Sequence, residues 1–439
     1  MLPPPFTAET PPQICILGGG FAGLYTALQL SRLSWGNHPK PEITLVDQGD
    51  RFLFTPFLYE LVTKELQAWE IAPSFKSLLR HTGVRFCRGA VQGVDLDKQQ
   101  VYLHEGGILT YDRLVLAVGS EASLDTVPGA EDYAHPFRTL SDAQHLREQL
   151  RFLENSNRSL IRVVIAGGGP SGVELAGKLA DRLGDRGQIH LVERGPELLK
   201  AFTPFSRKTT YRELASRGVQ IHLETGILAV EPRQVTLVQG DRIESIPSDL
   251  TLWTVGTQTS RWLSAPACES DRQGRVRSLP TLQLSGYPNV FALGDVAMIE
   301  DASGRQVPAT AQAAYQQAAC AAHNIRASLL GRRPKQFRYL HLGEMLALGT
   351  HAGIVSSFGV NLSGGLGYVI RRLVYLLLRM PTLRHRLIVA RHWLSTLFKR
   401  SLSGGSIKRG DRTQRSHRHG HSDFNRAVRS DSSVRRKKL

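Results

Sequence analysis

Six glycines in two sets of three stand where a phosphate-bearing ligand could be held. The first set is Gly18, Gly20 and Gly23, in Ile14-Cys-Ile-Leu-Gly-Gly-Gly-Phe-Ala-Gly23; the second is Gly167, Gly169 and Gly172, in Val163-Val-Ile-Ala-Gly-Gly-Gly-Pro-Ser-Gly172. Each follows a short apolar run and precedes a helix-like segment, the context that gives G-x-G-x-x-G its meaning. The first two glycines let the backbone turn tightly and approach a pyrophosphate. The third lets the helix pack on the strand, and the helix N-terminus receives the negative charge. An acid at the end of the next strand would hold ribose hydroxyls: Asp47 after Glu42-Ile-Thr-Leu-Val46, and Glu193 after Gln188-Ile-His-Leu-Val192. Either acid could instead be an ordinary strand-end charge. Two such units imply two nucleotides on one chain, the usual pairing being a bound FAD and a visiting NAD(P)H. Glu193 disfavours the extra phosphate of NADPH, whereas the adjacent Arg194 could accommodate it.

Further polar residues fall near these units. Glu174 follows the second fingerprint near the start of its helix. It could reach a nicotinamide amide beside the flavin, or be a first-turn acid favoured by the helix dipole. Downstream, Asn289-Val-Phe-Ala-Leu-Gly-Asp295 reads as an apolar strand ending in Gly294 and Asp295, where the chain can approach a ligand and Asp295 can bond a ribityl chain. The run Val307-Pro-Ala-Thr-Ala-Gln-Ala-Ala-Tyr-Gln-Gln317 follows, with Pro308 as helix opener and Ala311 near the helix start. That start would face the flavin ring, where its dipole favours the negative charge of reduction. Gly119 and Gly256 complete the expected cofactor contacts.

The elements needed to hold these residues are strand–helix–strand units, so the fold is expected to be α/β with two Rossmann-like domains. The order of the pieces splits the FAD domain around an inserted NAD(P)H domain. The expected boundaries are 10–125 and 279–335 for the FAD domain, 126–278 for the NAD(P)H domain, 336–400 for C-terminal strands and amphipathic helices, and 401–439 for a disordered basic tail. The 439 residues suffice for two to three domains. The four cysteines, Cys15, Cys87, Cys268 and Cys320, form no C-x-x-C pair, which argues against a redox-active disulfide or a zinc site. The N-terminus has neither the basic start nor the apolar core of a targeting peptide. No apolar stretch reaches the ~20 residues of a membrane span.

Charge is concentrated at one end. Residues 371–439 hold nineteen Lys/Arg against three Asp, so they carry nearly all of the net charge of +17. Within Thr382–Arg400, Leu383, Leu387, Ala390, Leu394 and Leu397 recur at helical spacing. Arg384, His385, Arg391, His392 and Lys399 lie mainly off that stripe, and Trp393 and Phe398 add aromatics. This pattern fits a helix lying on an anionic membrane surface. The alternative is a helix packed on the body with its basic face in water. The histidines of the tail, among them His417, His419 and His421, form only a weak metal-like pattern.

With these pieces placed, residues 13–400 resemble the type II NADH:quinone oxidoreductases. The resemblance rests on the two fingerprints, Leu252-Trp-Thr-Val-Gly256, Phe291-Ala-Leu-Gly-Asp295 and Ala311-Gln-Ala-Ala-Tyr-Gln316, the last matching the family's A-Q-x-A-x-Q pattern. It implies that Gln312 and Gln316 border a quinone pocket. It also places the aromatic run Phe52-Leu-Phe-Thr-Pro-Phe-Leu-Tyr-Glu60 near flavin and quinone, although those aromatics could equally be core. Leu342 stands where many respiratory members carry lysine, and the segment around it is similar to the cyanobacterial and plastid branch. That branch reduces demethylphylloquinone, is associated with NADPH and could act on plastoquinone. The implied enzyme is a peripheral-membrane flavoprotein with Glu174, Gln312 and Gln316 at its centre, a naphthoquinone or plastoquinone as acceptor, and a homodimer as one possible assembly. Glu344, His341 and Glu60 are candidate proton sources. Two rivals remain: another reductase on this fold, such as a sulfide:quinone enzyme, and a flavin redox sensor whose basic tail binds nucleic acid.

Overall fold

The computed structural model describes residues 10–263 and 269–404, without the side chains of Arg261 and of residues 397–404. Cys268 and most of the basic tail, residues 405–439, lie outside the described residues. The chain divides into two compact units, Met1–Leu387 and Ile388–Leu439, and every sheet belongs to the first.

The near-continuous apolar run Ile14–Leu17 becomes the strand Gln13–Leu17, buried on both faces as a central parallel strand must be. It pairs in parallel with Glu42–Asp47 on one side and Arg113–Leu116 on the other. Arg85–Arg88 extends one flank. The other flank is built from residues past the second sheet in sequence: Tyr287–Ala292 pairs in parallel with Arg113–Leu116, and beyond it lie Gln283–Leu284, Val276–Ser278 and Ala297–Ile299. A second, five-stranded parallel sheet sits between these halves in sequence, in the order Gln220–His222, Gly187–Val192, Ile161–Ala166, Leu250–Trp253, Ala134–Pro136. The first sheet thus takes strands from both sides, in sequence, of the second. The strand Val276–Ser278, expected inside the second domain, instead belongs to the first sheet and pairs with Ala297–Ile299. Two short strands, Glu121–Ala122 and Thr257–Gln258, pair antiparallel where the chain passes from one sheet to the other and back.

Helix α1 (Phe21–Arg32) follows the first fingerprint and α2 (Pro170–Leu183) the second. Helix α3 (Ala311–Leu329) packs on α1. It opens at Ala311 with Thr310 as N-cap, whose Oγ accepts from Ala313 N at 3.2 Å. Pro308 lies before the cap rather than in the first turn, because a threonine that can bond the open N–H groups outcompetes it. A three-stranded antiparallel sheet, Glu344–Gly349, Ala352–Ser357 and Val360–Ser363, packs against α2. Gly177 permits that contact, since a Cβ there would fall 2.5 Å from the Leu348 carbonyl oxygen.

Helix α4 (Gly364–Val374) runs into a π-helical turn, Tyr375–Arg379, and then α5 (Leu383–Gly404). The helix expected to end at Arg400 continues to Gly404. In the first unit Leu366, Val369, Leu373, Leu377, Leu378, Leu383 and Leu387 are all between 45 % and 69 % exposed. In the second unit Ile388 and Leu394 are exposed too. His385 departs from the surface role expected of it: it is buried, and its Nε2–H donates to the Glu70 carbonyl at 2.8 Å. No helix among the described residues is long and apolar enough to cross a membrane.

Candidate functional site

The two fingerprints fold alike. A Cβ on Gly23 would sit 1.8 Å from the Gly18 carbonyl oxygen, and one on Gly172 1.8 Å from that of Gly167, so both third glycines are required by helix–strand packing. Gly18, at φ +95°, also lies against Ala117, where a Cβ would come within 2.3 Å of the carbonyl oxygen. Gly20 and Gly169 differ: a Cβ on either would meet no protein atom within 4 Å. Each is the N-cap of its helix, without a side-chain cap. The open space lies where a pyrophosphate would meet uncapped N–H groups.

The acids hold these loops from the adjacent strand. Asp47 accepts from Gly19 N at 2.6 Å and Gly49 N at 2.7 Å. Glu193 repeats the arrangement, accepting from Gly168 N at 2.7 Å and Gly195 N at 2.6 Å. Beside the first loop is a cavity of about 500 Å³ lined by Gly18, Asp47, Val118, Glu121, Thr259 and Trp262. Trp262 and Glu121 reach it from the two segments that cross between the sheets. They carry no local motif, so the sequence did not single them out.

Gly119 and Gly256 both adopt positive φ, +72° and +69°, next to that paired crossing. Gly294, at φ +80°, begins the turn carrying Asp295, and its N–H donates to Gln317 Oε1 at 2.7 Å. Gln317 is the glutamine that sequence reasoning missed. Asp295 receives Ser120 Oγ at 3.3 Å and lies 3.6 Å from the Arg138 guanidinium. These groups and the uncapped α1 terminus fit an elongated dinucleotide with its pyrophosphate at Gly20. The residues present therefore suit FAD at the first site and a nicotinamide dinucleotide at the second.

Gln312 and Gln316 act on protein. Gln312 Nε2 donates to the Gly343 carbonyl at 3.2 Å, and its Oε1 accepts from Tyr339 OH and Leu342 N, both at 2.9 Å. Gln316 exchanges bonds with the Leu340 backbone at 2.8 and 3.0 Å. Both amides thus fasten the extended segment 339–343 along the first turns of α3. Leu342, the departure from the respiratory pattern, presents its backbone N–H to this joint.

Glu174 occupies the second turn of α2 rather than the first, which removes the simple dipole reading. It is buried and accepts from Ala347 N at 2.7 Å. Its Oε1 also meets Arg371 of α4 at 3.1 Å. Arg371 is wholly buried, bonds Glu60 at 2.5 Å and the Pro56 carbonyl at 2.5 Å, and lies 5.3 and 5.2 Å from the ring centres of Phe57 and Tyr375, which themselves meet edge to face. Burial and the Glu60 charge push the Glu174 carboxyl up to about 7, while Arg371 and the amide of Ala347 resist. Arg371 and Lys178 hold Glu60 below the usual carboxylate range despite its burial. Glu60 is thus the fixed charge and Glu174 the titrating one. The sequence grouped Arg371 with the basic surface module; the fold makes it internal.

The other proton candidates are placed differently. Glu344 accepts from Thr203 N at 2.8 Å, Thr203 Oγ1 at 2.9 Å and Ser206 Oγ at 2.6 Å, at the N-terminus of the helix Pro204–Ala215. His341 is exposed beside Tyr339. Phe52, Phe54 and Phe57 are almost fully buried, packing with Phe21, Tyr25 and Tyr375, so the core reading applies to them. Cys15, Cys87 and Cys320 are free thiols, and no cluster of metal-ligating side chains occurs among the described residues.

Known proteins resemble this chain in sequence and in fold. Residues 12–318 match the family described as pyridine nucleotide-disulphide oxidoreductase. The chain is 49 % identical over 388 residues to demethylphylloquinone reductase of Synechocystis sp., covering 88 % of this chain and 96 % of that protein. It is 38 % identical to the alternative NAD(P)H-ubiquinone oxidoreductase C1 of Arabidopsis thaliana, covering 88 % of this chain and 80 % of the relative. The structure of NDH2 from Plasmodium falciparum in complex with NADH superposes with a TM-score of 0.77 at 18 % identity, over 88 % of this chain and 98 % of that one, and so shares the fold. The chain belongs to the pyridine nucleotide-disulphide oxidoreductases and, within them, to the FAD-dependent type II NAD(P)H:quinone oxidoreductases.

Proposed function

We propose that this enzyme oxidises NAD(P)H at a membrane surface and reduces demethylphylloquinone there. The observation that carries the reading is the pair of matched cradles at Gly20 and Gly169, joined to a 49 % identical relative named for that reaction. FAD, when bound, supplies hydride acceptance and two-electron delivery. The chain's own residues bind and orient: Asp47 and Glu193 present carboxylates to ribose hydroxyls, and Gly20 and Gly169 leave room for pyrophosphate. Asp295, with Gly294 held by Gln317, would hold the ribityl chain of FAD, and the α3 terminus at Ala311 would stabilise negative charge on the flavin ring. Gly119 and Gly256 let the chain turn tightly as it passes between the sheets. Gln312 and Gln316 are positioning residues, fixing the wall of the quinone site through segment 339–343. Glu174, buried against the amide of Ala347 and Arg371 with its carboxyl pushed up to about 7, would hold a proton beside a bound nicotinamide.

The seven exposed leucine and valine positions of the first unit form a bilayer-facing surface, with Arg384 available to anionic headgroups. Glu193 favours NADH over NADPH by charge repulsion. Among the described residues, burial pushes the Cys15 thiol up to about 12 and the Cys320 thiol up to about 11, which disfavours both as the nucleophile a sulfide enzyme would use. Plastoquinone is the second acceptor to test, since it reaches the same membrane plane. Anaerobic mixing separates the half-reactions. NADH should bleach the flavin absorbance, and a naphthoquinone should restore it faster than a benzoquinone. Restoration by oxygen alone, with neither quinone accelerating it, would reject the proposal.

A further inference from the structure

We propose that the π-helical turn Tyr375–Arg379 is the gate through which the quinone headgroup leaves the membrane plane, with Tyr25 and Arg379 as its latch. The inference rests on the quinone-reductase reading above. The turn carries an i→i+5 bond, Met380 N to Tyr375 O at 2.8 Å, so it holds one residue more than an α-helical turn would. Such turns are rare, poorly packed and commonly found at functional sites.

Its two faces look at different environments. Outward, Leu377 and Leu378 are each 58 % exposed. Inward, Leu376 is buried, and the Tyr375 ring packs on Phe54, Phe57 and the Arg371 guanidinium at 5.2–5.4 Å. Tyr375 therefore lies between a hydrocarbon-facing surface and the Glu60–Arg371–Glu174 cluster. Within that cluster Glu60 Oε2 and Arg371 Nε are buried without a partner, so a polar headgroup arriving there meets an open acceptor and an open donor.

The carbonyls at the end of the turn are satisfied by side chains rather than left to water. Arg386 donates to the carbonyls of Met380 at 2.7 Å and Leu377 at 2.5 Å, with that of Leu378 at 3.4 Å. The Arg379 carbonyl accepts from Tyr25 OH. A segment in contact with hydrocarbon needs this internal satisfaction. The Tyr25 bond also ties the turn to α1. The Arg379 guanidinium lies 5.0 Å from the centre of the Tyr315 ring, which ties it to α3 between Gln312 and Gln316. Tyr25 and Tyr315 meet edge to face at 4.8 Å. The far end bears a strained joint, Thr382 at φ +52°, a conformation costly for a β-branched residue and relieved when the joint moves.

The test uses the FAD-loaded full-length enzyme in lipid vesicles, with Tyr25→Phe and Arg379→Gln. Each variant removes one latch contact and keeps the packing of the turn. Amide exchange in residues 375–380 should quicken roughly fivefold on loss of one such contact. The KM for a prenylated naphthoquinone should fall by a similar factor, because apparent affinity scales with the fraction of molecules that are open. Unchanged exchange in both variants, or a KM that stays or rises while exchange quickens, overturns the gate. A wild type that reduces no quinone overturns the functional reading instead, and the exchange data then still decide whether the latch exists.

Discussion

Gly20 and Gly23 lie three residues apart and should fail in different ways when each receives a methyl group. At Gly23 the new Cβ strikes a backbone oxygen, so Gly23→Ala should destabilise the apoprotein itself, seen as a lowered thermal midpoint without FAD. At Gly20 the methyl group meets no protein atom, so Gly20→Ala should leave the apoprotein melting unchanged and weaken FAD retention on gel filtration. Glu174 supplies a pH test. Its folded pKa is raised to about 7, so below the ordinary carboxylate range it costs nothing, and between there and neutrality the folded state loses stability relative to the unfolded. Glu174→Gln should remove that loss: the variant should gain on the wild type between pH 5 and pH 7, by on the order of 1 kcal/mol per pH unit, and gain no more above that, in urea melts. Arg371→Met should cost about 3–5 kcal/mol by stranding the buried charge of Glu60. The glycines and strand-end acids were legible in sequence because their chemistry is local, fixed by spacing along one strand and one turn. Arg371 was not, because Arg371 and Arg372 are identical neighbours in a basic run. Only the packing of α4 on the helical segment Thr55–Val62, through bonds to Glu60 and Pro56, buries the first of them.

At the scale of elements, the period of the apolar residues gave the strands and helices, and the boundaries were set by competition the pattern does not display. Val276–Ser278 reads equally well as the end of one domain or the start of the next, and its pairing with Ala297–Ile299 decides. Ala311 begins α3 because Thr310 caps it. The amphipathic character of α4 was visible, but the π turn was not, since one inserted residue barely alters a pattern of threes and fours. The exposed stripe makes its own prediction. Leu366→Asp with Leu373→Asp should abolish co-flotation with anionic vesicles while leaving soluble-quinone reduction in place, because both side chains are exposed and lie outside the π turn. Retained flotation would assign membrane attachment elsewhere on the chain.

At the scale of the whole molecule, the strands of one sheet flank those of a second dinucleotide unit in sequence, and a small antiparallel sheet fixes α2 of that unit through Glu174 and Gly177. The order of motifs made this split architecture readable. The contacts that fix the two units did not follow from it, because they join residues well over a hundred positions apart. In the proposed function two nucleotide cradles serve one acceptor, a membrane quinone. The most direct test is steady-state oxidation of NADH and NADPH by the FAD-loaded enzyme with a naphthoquinone, a benzoquinone or no acceptor. Rapid turnover that requires quinone, favours the naphthoquinone and prefers NADH is the predicted result. Equal turnover without any quinone would contradict the claim.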